Sequence, residues 1–93
     1  MPPLRIPDEF RDALDSKEAR LAAAVTRCVQ KLGVNPRLPG LQTHPVQGTR
    51  NPKVFEAYVD RKNRVTWYWD EGEIVLLAHC NHDVLKRPYG PSN

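Results

Sequence analysis

Residues 54–80 contain three successive segments that alternate between apolar and polar side chains: VFEAYVD (54–60), RVTWYW (64–69) and EIVLLAHC (73–80). Alternation with a period of two is the signature of a strand with one buried face. The connections, RKN and DEG, are too short for a crossover, so successive strands must run antiparallel as a meander. The alternation also sorts the side chains. One face carries Phe55, Ala57, Val59, Val65, Trp67, Trp69, Ile74, Leu76 and Ala78, and is wholly apolar. The other carries Val54, Glu56, Tyr58, Asp60, Arg64, Thr66, Tyr68, Glu73, Val75, Leu77 and His79.

An apolar sheet face needs a cover, and the N-terminal third supplies one. Asp8 is suited to an N-cap, and Phe10, Ala13 and Leu14 follow at helical spacing, giving a short helix to about Asp15. Ser16 can cap a second helix. Its apolar stripe is Leu21, Val25, Cys28, Val29 and Leu32, with Arg20, Arg27, Gln30 and Lys31 between, and Gly33 is a plausible C-cap. Cys28 lies on that stripe and reads as a small core residue. The expected class is α+β, with two N-terminal helices packed on one face of a small antiparallel β-meander sheet. The expected organisation is a single domain over 1–93, with an ordered core of about 4–88 and a frayed tail at 89–93. Pro2, Pro3 and Pro7 restrict LRI to a short edge strand. Residues 35–53, NPRLPGLQTHPVQGTRNPK, form a long connection with a short extended piece around LQTHPV. It carries Arg37, His44, Arg50 and Lys53, and loops of this length in small domains are often functional.

A net charge of +3 gives a mild preference for polyanions, weaker than in a protein that coats DNA. The longest apolar run, IVLLA, suits a strand rather than a membrane span, and MPPLRIPDEF has no secretory pattern. Two cysteines do not make a disulfide scaffold. These features lead to an expected cytoplasmic location with reduced thiols. The stretch HCNHD (79–83) invites a metal reading. In a regular strand, however, His79 would point to the open face and Cys80 to the helix-packed face, and no CxxC or second cluster completes a shell. No metal site and no cofactor are expected.

NPRLPGLQTHPVQG, VFEAYVD, NRVTWYW and IVLLAHCNHDVLKRP, in this order after two helices, resemble the linker, strands and terminal H-D of the RelE/ParE toxin superfamily, over about residues 8–88. The resemblance implies a toxin of a type II toxin-antitoxin system, held inactive by a cognate antitoxin. RelE-like members cleave mRNA in the ribosomal A site, and ParE-like members poison DNA gyrase. For this chain the expectation is a ribosome-dependent mRNA endoribonuclease of the RelE/YoeB-like branch. The alternative is a ParE-like gyrase inhibitor or a non-catalytic binding protein.

Metal-independent RNA cleavage needs a base for the 2′-OH, an acid for the leaving 5′-oxygen and a cation for the phosphate. Arg64 opens the second strand where RelE-like nucleases carry an arginine, and its guanidinium fits phosphate. The other reading of Arg64 is an ion pair with Glu56 or Asp60. His82 stands where the YoeB-like branch places a general-acid histidine, or else serves a structural H-D turn. Glu56 is a candidate base or the partner of Arg64, and His79 is a second acid/base candidate. Tyr58 and Tyr68 could stack on bases, and Arg50, Lys53, Arg61, Lys86 and Arg87 could meet phosphates. The sequence departs from the family pattern in having Glu56 and Tyr58 in place of strand cations, and Asp83 after His82. Val75 and Leu77, set in the polar face, suggest a groove for an antitoxin segment.

Overall fold

The computed structural model describes residues 2–81, with side chains up to His79. The elements run β1 (Leu4–Arg5), α1 (Asp8–Asp15), α2 (Ala19–Val34), a 3-10 turn (Pro39–Leu41), β2 (His44–Pro45), β3 (Val54–Tyr58), β4 (Asn63–Asp70) and β5 (Glu73–Asn81). The expected tail and the candidates His82, Lys86 and Arg87 lie outside the described residues.

The meander forms as the alternation required. β3 pairs antiparallel with β4, and β4 with β5. The β4–β5 connection is a two-residue turn whose residues, Glu71 and Gly72, have φ of 49° and 81°. Two successive left-handed residues match the twist of the flanking strands, and glycine takes this conformation without steric cost.

The sheet is larger than the meander and is mixed rather than purely antiparallel. Its strand order is β1-β5-β4-β3-β2. β1 lies parallel to β5, with Leu4 opposite Ile74 and Arg5 opposite Val75. A strand hemmed by prolines can still offer carbonyls, and the Pro3 carbonyl accepts from Ile74 N at 2.9 Å. At the opposite edge β2 adds to β3. The extended piece expected within LQTHPV is therefore a real strand, confined to two residues.

Helix boundaries fall where the periodicity placed them, but the caps differ. Pro7, with φ −61° and ψ 154°, occupies the N-cap of α1, and Asp8 is its first helical residue. Glu18, not Ser16, caps α2, accepting from Arg20 N. Ser16 instead closes α1 by donating from Oγ to the Ala13 carbonyl at 2.9 Å. Gly33 lies within α2, and Asn35 takes the C-cap.

The main core joins Phe10 of α1 and Val25, Cys28, Val29 and Leu32 of α2 to Leu41 and to Ala57, Val65, Trp67, Ile74 and Leu76 of the sheet. Burial pushes the Cys28 thiol up to about 11, consistent with an inert core residue. The opposite side of the sheet is not fully open: Val54 and Val75 on that side are each 3% exposed. Val75 is thus unavailable as part of an exposed groove, whereas Leu77 is 36% exposed.

The largest departure from regular alternation lies in β5. The ladder pairs Trp67 with Leu76 but Thr66 with Ala78, so Leu77 is an extra residue in a β-bulge. Beyond it the phase inverts. Ala78 stands opposite Thr66, and His79 opposite Val65, a residue of the main core.

Candidate functional site

The inversion at Leu77 corrects the expected place of His79. It does not share a face with Glu56 and Arg64. Its ring packs edge-on against Phe10 of α1, with centroids 4.8 Å apart, and the residue is 9% exposed. Burial lowers its pKa below the usual imidazole value, and the charge of Lys17 adds to this, against an opposing pull from the Phe10 backbone. The assignment of His79 to the open face fails for the same reason, and the expected placement of the Cys80 side chain lies outside the described residues. Among the described residues, no group of three or more His, Cys, Asp or Glu is placed to hold a metal ion.

Glu56, Tyr58 and Arg64 do come together. β3 carries Glu56 and Tyr58 on the side away from the main core, and the register sets Tyr58 opposite Arg64. Glu56 is buried in mid-strand, its side chain 4% exposed. Arg64 Nε lies 3.6 Å from Glu56 Oε1, and the guanidinium carbon lies 4.8 Å from the centre of the Tyr58 ring. Arg64 Nη1 also donates to the carbonyls of Asp60 and Asn63, the latter at 2.9 Å. These contacts fix the cation in one orientation at the β3–β4 hairpin.

The turn beneath it is firmly built. Asp60 Oδ1 accepts from the backbone N–H groups of Lys62 and Asn63 at 2.9 and 2.8 Å. Desolvation works against its ionisation, but those hydrogen bonds, the Asn63 side chain and the charge of Arg64 hold its pKa below the ordinary value. Asp60 thereby sets the backbone that receives Arg64.

The residue that sequence reasoning missed is His44. The edge strand β2 sets it opposite Glu56, and its Nε2 lies 3.0 Å from Glu56 Oε1. Its Nδ1 lies 2.8 Å from the Gln42 carbonyl, which orients the ring. A carbonyl oxygen can only accept, so Nδ1 donates to Gln42 and Nε2 is the ring nitrogen that faces the carboxylate. The signal was present as the single histidine in the linker's extended piece, but a two-residue strand has no period from which to read a partner. His44, Glu56 and Arg64 thus form a line across β2, β3 and β4, with the His44 side chain 55% exposed.

The proposed RNA contacts are dispersed. Arg50 and Tyr68 line one cleft of about 420 Å³, which also includes Thr49, Val54 and Leu77. Lys53 is exposed just before β3, and Arg61 is exposed at the hairpin turn. Arg5 is engaged elsewhere, bridging Asp70 and Glu73 beside β1.

No protein-family model matches the chain, and no curated protein sequence matches it significantly. Solved structures do. The RelE–RelB complex from Pyrococcus horikoshii aligns with a TM-score of 0.64 at 17% identity, over 85% of this chain and 92% of that one. A YoeB/ParE toxin from Agrobacterium tumefaciens aligns with a TM-score of 0.65 at 11% identity, over 86% and 98%. A copper-bound mutant toxin from Helicobacter pylori aligns with a TM-score of 0.57 at 20% identity, over 91% and 99%. The chain shares the fold of these RelE and YoeB/ParE structures.

Proposed function

We propose that this chain is the toxin of a type II toxin-antitoxin pair and cleaves mRNA on the ribosome without a metal. The carrying observation is the line His44–Glu56–Arg64, which sets a carboxylate–imidazole pair within reach of a fixed guanidinium. In the reaction, Glu56 accepts the proton of the 2′-OH, and the 2′-oxygen attacks the adjacent phosphorus. The P–O5′ bond breaks, leaving a 2′,3′-cyclic phosphate and a 5′-OH. Arg64 stabilises the charge gathering on the phosphate. Because Glu56 is buried and His44 is exposed, the proton taken up by Glu56 returns to solvent through His44 Nε2. His82, outside the described residues, is the proposed acid for the 5′-oxygen.

The fold similarity supports the toxin reading, and the Pyrococcus relative is itself a complex with RelB. An antitoxin is accordingly the proposed protein partner, with the cytoplasm as the proposed site of action and residues 1–93 as one domain. No helix among the described residues is long and apolar enough to cross a membrane.

One observation favours a second reading. Arg64 is 12% exposed and engaged with Glu56 and two carbonyls, as a purely structural ion pair would be. A ParE-like gyrase inhibitor or a non-catalytic binding protein needs nothing more of it. Primer-extension mapping of mRNA 5′ ends in a reconstituted translation reaction separates the two. The nuclease reading expects new ends inside A-site codons. Intact mRNA in the presence of folded protein would reject it and direct attention to gyrase.

A further inference from the structure

On the core side of the sheet, beyond the part covered by α2, lies a second concavity of about 440 Å³. Its aromatic wall is Phe55, Trp67 and Trp69. Phe55 stacks on Trp67 with ring centroids 5.0 Å apart, and Trp69 meets Trp67 edge-on at 5.3 Å. Trp69 is 43% exposed, which leaves a large aromatic surface uncovered on the core side. Trp67 is 1% exposed, and its Nε1–H finds no acceptor among the described residues. Arg37 and His44 also line the space, and no acidic side chain among the described residues does.

We infer that this concavity is a subsite for a base of single-stranded RNA, adjoining the cleavage site around the β2 edge. The inference deepens the nuclease reading and rests on it for the identity of the strand. His44 links the two places, since it lines the concavity and also pairs with Glu56 on the other side of β2. Arg64 and Trp69 stand five residues apart on β4, so a strand whose phosphate meets Arg64 can pass the β2 edge and lay a base further along against Trp69. Aromatic side chains receive unstacked bases in this way whatever the base, and Arg37 stands ready for the accompanying phosphate. The Arg37 guanidinium, with no carboxylate among the described lining residues, favours a nucleotide over an apolar peptide segment.

The test uses a mixed-sequence 2′-O-methyl tetraribonucleotide, which cannot be cleaved because its 2′-oxygen is blocked. Its binding is followed through the two indole N–H resonances of the full chain, since Trp67 and Trp69 are the only tryptophans. The inference expects a saturable shift of the Trp69 resonance. It also expects Trp69→Ala to weaken binding about tenfold and Trp69→Phe to restore most of it. Binding that leaves the Trp69 resonance unmoved would overturn the inference, as would absence of binding or a shift produced only by a protein partner. The wild-type shift needs no variant, so a poorly folded Trp69→Ala protein does not blunt the test. If wild-type protein cuts mRNA while the Trp69 signal stays still, the subsite alone fails. If the signal moves but no mRNA is cut, the nuclease reading fails and the subsite stands.

Discussion

His79 is a polar residue spent on the core. Its imidazole lies under Phe10, with the charge of Lys17 nearby, and its pKa is lowered from 6.5. In the unfolded chain the group takes up its proton near 6.5, whereas in the folded chain it does so only at lower pH. The unfolded state therefore binds more protons between these two values, and stability is lost as pH falls through that interval. Chemical denaturation from pH 7.5 to 5 should show wild type losing more stability than His79→Gln, with equal pH dependence above 7. Parallel curves throughout would mean that His79 is not a buried neutral imidazole. At this scale the site was legible only in part. Glu56, Tyr58 and Arg64 were legible because all three sit in regular strands where alternation holds. His79 was misplaced, and His44 lay in a proline-rich linker without periodicity.

Among the elements, β5 shows where alternation stops informing. Residues 74–78 read IVLLA, uninterrupted apolar sequence, so an extra residue leaves no visible break in the pattern. The bulge at Leu77 shifts the phase unseen, and the assignments of Ala78 and His79 invert. The same register makes a sharp prediction. Deleting Leu77 joins Leu76 directly to Ala78, so the pairs Trp67–Leu76, Thr66–Ala78 and Val65–His79 can all persist without the bulge. The deletion should fold, at a cost of about 1 kcal/mol, and keep the close contact between the His79 and Phe10 rings, read as a nuclear Overhauser effect. Were β5 regular, the deletion would swing His79 to the other side and abolish that contact. The helices, by contrast, were readable almost to the residue, since four of the five residues of the apolar stripe of α2 are buried. The caps were not, because Pro7 and Glu18 compete for the same positions as Asp8 and Ser16. The parallel β1 was only half legible: proline restriction marks an edge strand but does not say which strand it joins.

For the whole molecule, a small core on one side of the sheet leaves the other side to hold a line of interacting polar groups. Glu56 is central to that line, in contact with both the exposed His44 and the fixed Arg64. Removing Arg64 outright leaves a buried carboxylate with one cation fewer, so Arg64→Ala is expected to lower stability as well as activity, by about 3 kcal/mol. Arg64→Lys keeps the charge and loses the planar fork, and is the cleaner probe of phosphate binding. Glu56→Gln keeps the shape and removes the proton acceptor. The measurement that bears most directly on the account is the single-turnover rate of mRNA cleavage on programmed ribosomes by wild type and Glu56→Gln, with folding of both checked by circular dichroism. A general-base role for Glu56 predicts a loss of about 10²–10⁴-fold for Glu56→Gln. Cleavage by Glu56→Gln at the wild-type rate would contradict it, and would leave the His44–Glu56–Arg64 line with a structural role alone.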